Sequence, residues 1–382
     1  MRAINNQKKL ILLGLIFFII FILAACSTES SDDKSSYQVS GMLKDAIEKD
    51  GVEDIKIKLI NKDTEILTSN EQGKWSANNL YGPTEIIPVA KDYDFEPTSV
   101  AVSEETEDII FFVKERLDYD ELVFVEGDKF ELGSNDGFGN ETPKTEVKVS
   151  DFYIRKYPIT QYEYKKITGE NPAYHTTGNH PEISWANRRP VEKVTWWDAI
   201  NFANKLSEKN NLVVAYDENN GKLLDSNGNH TTDISQVEGF RLPTEAEWEF
   251  AARGGVARRD TIYSGGDDIA DLAWYLNNSK QANSARSDGR GTMPVGMKAS
   301  NELGLFDMSG NVWEWVQDYY DTNAYQNLTE KNPYNKEESN SKVYRGGSWY
   351  HFAYRSRVSF RGRYNPDYKS NTIGFRLVRS KN

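Results

Sequence analysis

The sequence predicts an α+β fold with long irregular stretches, preceded by a small all-β sandwich. Residues 37–116 contain short runs that alternate at period two between turn-forming residues, as in Asp54–Leu59, which is typical of half-buried strands. Residues 117–382 start with strand-like runs, continue with three capped helical segments and end in a region rich in Gly, Asn and Asp. With 382 residues, the chain is long enough for both domains.

Composition excludes several classes of chemistry. The chain contains one cysteine, so it forms no internal disulfide and no thiolate metal cage. Its net charge of -12 repels nucleic-acid phosphate, and we expect no nucleic-acid partner. The 12% share of aromatic residues suits loop-rich cores and ligand-binding surfaces.

The first 26 residues have the pattern of a targeting segment, and we do not expect them to belong to the fold. A basic start is followed by an apolar run, Leu10 to Leu23, that is short for a membrane span, and the segment ends in Leu-Ala-Ala-Cys26. This end resembles a bacterial lipobox, in which Cys26 would be diacylated and anchor the protein to the extracytoplasmic face of the cell membrane. An ordinary signal peptide or a helical N-terminal anchor remain as alternatives. Residues 27–36 are rich in Ser and acidic residues and predict a flexible tether.

The sandwich predicted over 37–116 loosely resembles the carboxypeptidase-regulatory-like domains of bacterial surface proteins. The resemblance rests on the Val-Ser-Gly, Gly-Lys-Trp and Tyr-Asp-Phe-Glu-Pro segments. No cluster of catalytic residues lies here, so a spacer or adhesion module is the favoured interpretation.

The main domain, 117–382, opens with a predicted hairpin in which Leu122–Val125 and Lys129–Leu132 flank a turn. A short helix is expected from Thr160 through Tyr164. Capping boxes predict two further helices, near 196–208 and 245–253: Thr195 stands before Asp198 and Thr244 before Glu247. Beyond these helices we expect largely irregular backbone.

Six ordered motifs in this domain resemble those of the formylglycine-generating enzyme (sulfatase-modifying factor) family. They span about 260 residues. The resemblance implies a loop-rich α+β domain related to C-type lectins. The motifs are Phe130–Ser134, Val191–Asp198, Phe240–Glu249, Gly304–Trp315, Arg345–Trp349 and Gly374–Arg376.

Oxidising members of that family bind copper(I) through two cysteines, three and eight residues after the serine of Gly-Gly-Ser. Those positions hold His351 and Ser356 here. Copper(I) at such a site depends on soft thiolate donors, which neither side chain supplies. We therefore expect no copper and no catalytic residue for formylglycine generation by that mechanism.

The resemblance also implies a calcium site formed by Asp307, Gly310, Val312 and Glu314. Two carboxylates and two backbone carbonyls form an all-oxygen set that suits a hard cation such as Ca²⁺. The alternative is that Glu314 pairs with an arginine and Asp307 caps a turn.

An iron site built from histidines is another redox centre to consider in place of copper. The four histidines are His175, His180, His230 and His351. Related domains in ergothioneine-type sulfoxide synthases lie beside a three-histidine iron centre, but those histidines come from a helical domain that this chain lacks. We expect no catalytic iron.

An aromatic run follows the Gly-Gly-Ser motif, and we predict a ligand-binding surface for a protein or a glycan there. Core packing is the alternative, although the poor alternation of the run keeps some of its side chains out of the core. The predicted ligand-binding residues are Ser348, Trp349, Tyr350, His351, Phe352 and Tyr354.

The last third of the chain is also rich in arginine. We expect most of these guanidinium groups to pair with the excess of carboxylates and hold loops together, and a subset could bind an anionic ligand. The arginines concerned are Arg345, Arg355, Arg357, Arg361, Arg363, Arg376 and Arg379.

Two classes of function follow. The favoured one is a membrane-anchored, non-catalytic ligand-binding module. The other is an enzyme of the same family with altered chemistry, either iron-dependent oxidation or a sulfatase-modifying type of activity.

Overall fold

The computed structural model describes residues 36–45, 51–61, 64–90, 93–115, 121–176, 185–280 and 289–381. The predicted signal peptide with Cys26, nearly all of the tether and His180 lie outside these residues. The chain divides into two compact units, Met1–Arg116 and Leu117–Asn382. Within the described ranges, no helix is both long enough and apolar enough to cross a membrane.

The first unit is built from two four-stranded sheets around one core. One sheet has the strand order β4-β1-β8-β6 and the other β3-β2-β5-β7. Among the strand pairs of the described residues in this unit, the central β1–β8 pair is parallel and the others are antiparallel. Alternate residues of the strands, such as Ile57 and Leu59, are buried, which confirms the period-two prediction. The strands are β1 Tyr37–Asp45, β2 Lys56–Ile60, β3 Thr64–Thr68, β4 Lys74–Leu80, β5 Thr84–Val89, β6 Tyr93–Glu96, β7 Val100–Val102 and β8 Thr106–Glu115.

In its described residues the second unit contains three small sheets and four α-helices joined by long irregular segments, so the α+β prediction is confirmed. The sheets have the orders β10-β11, β17-β12-β9 and β15-β14-β13-β16. The strands are β9 Leu122–Val125, β10 Lys129–Leu132, β11 Thr145–Lys148, β12 Phe152–Arg155, β13 Trp313–Tyr319, β14 Lys342–Arg345, β15 Gly362–Tyr364, β16 Ile373–Phe375 and β17 Val378–Ser380.

The three predicted helices begin where local capping predicts, and a fourth helix was not predicted. They are α1 Gln161–Thr168, α2 Trp196–Lys209, α3 Glu245–Ala252 and the single turn α4 Ile269–Leu272. Thr195 and Thr244 each accept a hydrogen bond from the backbone of the third helical residue, whose carboxylate returns to the cap backbone. Thr160 does the same for α1, which runs one turn beyond the predicted end.

The predicted hairpin between β9 and β10 is wrong. β9 pairs with β12, and β10 pairs with β11, so the two strands belong to different sheets. Both runs are strands, as their alternation predicts, but their partners come later in the chain. β17 also pairs with β12, so the start and the end of the unit meet in one sheet.

Tryptophans and neighbouring apolar residues fill the cores of the second unit. The indole N–H of Trp196 donates to the carbonyl of Val316, and that of Trp315 donates to the carbonyl of Val194. These bonds satisfy the one polar atom that each buried indole carries. They also tie the start of α2 to β13, the strand behind the candidate site.

Candidate functional site

Ser348 and His351 meet at the first cysteine-equivalent position. Ser348 Oγ lies 2.6 Å from His351 Nδ1, and the indole N–H of Trp313 donates to the same nitrogen over 3.1 Å. Because an indole can only donate, Nδ1 is an acceptor and the neutral ring carries its proton on Nε2. The lone pair that would face a metal from Nδ1 is therefore engaged within the protein.

Burial keeps His351 uncharged at neutral pH. It lowers the pKa of the imidazole to about 4, and the nearby Arg355 guanidinium contributes in the same direction. A hydroxyl beside a neutral imidazole resembles a nucleophile with its general base. Ser348 is 0% exposed, however, so no substrate carbonyl reaches its hydroxyl in this arrangement. The pair therefore holds the Gly-Gly-Ser turn in place.

Ser356, the second cysteine-equivalent residue, is also fully buried. Its hydroxyl has no hydrogen-bond partner among the described residues. It packs against the backbone of Gly347, where φ is +78° and a Cβ would collide with the Ser356 side chain. Neither position offers sulfur; Ser356 is fully buried and His351 is partly buried.

An aromatic patch lies over this buried layer, and we define it as Phe138, Phe352, Tyr354 and Phe360. The exposed fractions are 53% for Phe138, 58% for Phe352 and 42% for Tyr354, whereas Phe360 is partly buried. Phe138 lies 5.9 Å from Tyr354 and 5.7 Å from Phe360, between ring centroids. Phe352 stacks on Tyr354 at 6.4 Å. Four rings thus form one continuous apolar surface.

A buried carboxylate explains how Phe138 reaches the patch from more than 200 residues away in sequence. Glu141 accepts hydrogen bonds from both terminal nitrogens of Arg357, at 3.0 and 2.6 Å, and from the hydroxyl of Ser359 at 2.7 Å. It also accepts the backbone N–H of Phe138 at 3.1 Å. This clamp, built on the fully buried Glu141, fixes the loop that carries Phe138 against the segment that carries the other rings.

The predicted ligand-binding set divides into two layers. Tyr350 is 45% exposed, and Phe352 and Tyr354 are exposed as well, so these three lie where a ligand can touch them. Ser348 and Trp349 are fully buried and His351 is partly buried, so these three lie beneath the exposed rings, and their role in ligand binding stays a prediction. The Trp349 indole donates to the carbonyl of Asn371 and therefore supports the surface from behind.

Phe138 and Phe360 complete the patch, but sequence reasoning did not identify them as ligand-binding residues. Phe138 lies between two glycines in a polar loop, and an apolar residue in such a place is the one signal that could have revealed it.

In the predicted calcium set, the structure pairs Glu314 with an arginine. Glu314 accepts hydrogen bonds from Nε and a terminal nitrogen of Arg376, at 2.7 and 2.8 Å, and from the indole N–H of Trp248 at 2.7 Å. The guanidinium already supplies the countercharge that Ca²⁺ would bring, so the alternative pairing with an arginine is the one present.

Asp307 has no such countercharge within ion-pair distance among the described residues. It accepts hydrogen bonds from the Gly296 backbone and from the Asn311 amide. Burial raises its pKa to about 6. Gly310 and Val312, the other two members of the predicted calcium set, are buried. The calcium site stays a prediction.

Most of the arginines pair with buried carboxylates, as the favoured interpretation predicts. Arg345 contacts Glu245 and Glu249 at 2.6 Å each, and Arg361 forms a two-pronged pair with Glu245. Arg253 contacts Glu249 from the other side. This network ties α3 to β14 and to the segment before β15.

The histidines in the described residues do not converge. His175 is buried with Nδ1 at 3.2 Å from Glu192, and His230 contacts Asp217 at the surface. Within the described part of the chain, no group of three or more His, Cys, Asp or Glu side chains is arranged to hold a metal ion.

Fold and site together define a loop-rich α+β domain with a Gly-Gly-Ser turn under an aromatic surface. The chain belongs to the sulfatase-modifying factor family: the family model described as "Sulfatase-modifying factor enzyme 1-like domain" matches residues 110–381. This confirms the resemblance to formylglycine-generating enzymes.

The chain is 33% identical to the chaperone protein LppX of Paenibacillus barcinonensis over 277 residues, which are 69% of this chain and 90% of the relative. It is 29% identical to the formylglycine-generating enzyme of Streptomyces coelicolor over 278 residues, 67% of this chain and 88% of the enzyme. Among solved structures, Treponema denticola variable protein 1 matches with a TM-score of 0.57 and 28% identity. That match covers 76% of this chain and all of the other. The likeness to C-type lectins stays a prediction.

Other relatives are much longer than the matched region. The chain is 30% identical over 297 residues to the serine/threonine-protein kinase pkn1 of Chlamydia caviae, but the match spans only 40% of that protein. The kinase name therefore says nothing about the activity of this chain.

Proposed function

We propose that this protein is a lipid-anchored envelope protein whose second unit binds segments of other proteins, as a chaperone does, and does not oxidise cysteine. The observation that carries the proposal is an exposed aromatic patch over positions that hold His351 and Ser356 in place of thiols. The relative named as a chaperone aligns over 90% of its own length, which supports the same function.

The patch suits a protein segment in its physical character. Rigid aromatic side chains provide large contact area at a small loss of conformational entropy. Exposed apolar clusters on otherwise polar proteins commonly mark interaction sites. The buried clamp at Glu141 keeps the rings in place, so binding needs little reorganisation of the surface.

The test is binding of the full-length chain to a permanently unfolded probe, fluorescently labelled lactalbumin that has been reduced and carboxymethylated. Phe352→Ser and Tyr354→Ser together should weaken binding at least tenfold, because two exposed anchors are lost. Tyr162→Ser is the matched control, because Tyr162 is 45% exposed and lies on α1, outside the patch. Equal binding by the wild type and the patch variant would reject the proposal.

The lipid anchor rests on the sequence before Cys26 and is tested separately. We expect the wild-type chain to partition with membranes and to incorporate a labelled fatty acid in a bacterial host. Cys26→Ser should remove the label and Ser27→Ala should keep it. A labelled Cys26→Ser variant would contradict diacylation at this residue.

The alternative function, an enzyme of this family with altered chemistry, would need a reactive group open to substrate. The Ser348–His351 pair is the nearest candidate, and the complete burial of Ser348 disfavours it. Binding is therefore the function that we favour.

A further inference from the structure

Three of the arginines in the last third of the chain differ from the rest. Arg355, Arg363 and Arg379 have no carboxylate within ion-pair distance among the residues that the structure describes, whereas Arg345, Arg357, Arg361 and Arg376 each have at least one. Arg363 is exposed beside the ring of Tyr320, and Arg379 donates to the backbone carbonyl of Glu238. Of these three, Arg355 is the one whose guanidinium lies against rings of the aromatic patch.

The guanidinium of Arg355 is held by the rings rather than by a countercharge. Its carbon atom Cζ lies 5.7 Å from the Tyr354 ring centroid and 5.8 Å from that of Phe360. Its Nε donates to the Tyr354 hydroxyl at 3.1 Å. Within the described residues, its two terminal nitrogens have no hydrogen-bond partner. A planar guanidinium held in this way can donate two parallel N–H bonds to a ligand that occupies the patch.

The neighbouring Arg357 differs from Arg355 because it has a carboxylate partner. Arg357 also lies over two rings of the patch, Phe138 and Phe360, but Glu141 takes both of its terminal nitrogens. Among the described residues, Arg355 is therefore the cation at the patch that lacks a carboxylate partner, in a protein whose net charge is -12. With an excess of acidic residues elsewhere, the chain leaves this one position open to a negative charge from outside.

We propose that Arg355 and the aromatic patch form a two-part subsite for a protein segment in which an aromatic or aliphatic side chain lies next to a carboxylate. This inference rests on the proposed function and names the class of segment that is bound. The rings receive the apolar side chain, and the guanidinium receives the carboxylate through two parallel hydrogen bonds. A neutral glycan would stack on the rings but would leave the guanidinium without a countercharge.

The experiment compares two labelled peptides, Gly-Gly-Phe-Glu-Phe-Gly-Gly and the same peptide with Gln in place of Glu, both with blocked ends. Binding to the full-length chain is followed by fluorescence anisotropy near physiological salt. The variants are Arg355→Gln and the matched control Arg363→Gln, which removes another arginine without a carboxylate partner. Unfolding midpoints of both variants confirm that they are folded.

Wild type should bind the Glu peptide about tenfold more tightly than the Gln peptide, because a partly buried hydrogen bond between charged groups is gained. Arg355→Gln should bind the two peptides equally, and Arg363→Gln should keep the preference.

Equal binding of both peptides by the wild type, or a preference that survives in Arg355→Gln, would overturn the inference and leave the proposed function intact. Failure of both peptides to bind, with unfolded lactalbumin still bound, would also overturn the inference alone. Failure of the lactalbumin probe as well would reject the proposed function too.

Discussion

The hydroxyl of Ser348 lies 2.6 Å from Nδ1 of His351, at the position where oxidising relatives of this family carry a copper-binding cysteine. The hydrogen bond, together with that from Trp313, turns the imidazole inward. In this chain the position thus serves as internal support for the surface above it. This supporting role underlies the predictions below.

The first prediction concerns pH. The His351 pKa in the folded state is about 4, below the ordinary value of 6.5, because the ring is buried and Arg355 is near. The unfolded state therefore binds the proton more tightly, so the contribution of this residue to stability is fully present above about pH 6.5 and is lost as pH falls toward 4. His351→Asn should lose less stability than wild type between pH 7 and pH 4.5.

Urea unfolding followed by tryptophan fluorescence measures this difference. Trp75 is the one tryptophan before residue 117 in a chain with nine, so the signal reports mainly on the second unit. Parallel pH profiles for wild type and His351→Asn would show that His351 titrates normally in the folded state.

A second prediction concerns the buried ion-pair network. Arg345 is fully buried and contacts Glu245 and Glu249 at 2.6 Å each. Arg345→Met should lower the free energy of unfolding by roughly 3 kcal/mol, because buried carboxylates lose a countercharge. Arg363→Gln, an exposed change, should stay within about 0.5 kcal/mol of wild type. Denaturant unfolding of both variants measures these differences. Equal unfolding midpoints for Arg345→Met and wild type would argue against a structural role for the network.

The third prediction concerns calcium and Glu314. Because Arg376 already neutralises Glu314, we expect thermal unfolding of the wild type to be the same in calcium and in chelator. Glu314→Gln should lower stability by about 3 kcal/mol in both conditions, since it leaves a buried guanidinium without its carboxylate. A calcium-dependent rise in the wild-type midpoint that disappears in Asp307→Asn would instead support the predicted calcium site.

The sequence predicts local features of this fold well. Helices α2 and α3 begin where Thr195 and Thr244 predict, because a capping box is complete within four residues. The pairing of strands depends on residues far apart, so the runs at β9 and β10 could be identified as strands but not assigned to their sheets. Local chemistry determines where an element begins, and tertiary packing determines its partner.

The candidate site also has features that follow from local sequence and features that depend on tertiary packing. The loss of both thiols is visible in the sequence at His351 and Ser356. The contact of Phe138 with Tyr354 is not, because it depends on a clamp between residues more than 200 positions apart. The sequence likewise left two partners open for Glu314, a cation or an arginine. Only the three-dimensional arrangement places Arg376 against it.

The most direct test of the account is mass spectrometry of a cysteine-containing sulfatase peptide after incubation with the full-length chain, copper(I) and oxygen. The Streptomyces coelicolor formylglycine-generating enzyme serves as the positive control. The account predicts that this chain leaves the cysteine unchanged, because His351 and Ser356 supply no thiolate for copper. Conversion of the cysteine to an aldehyde by this chain alone would contradict it.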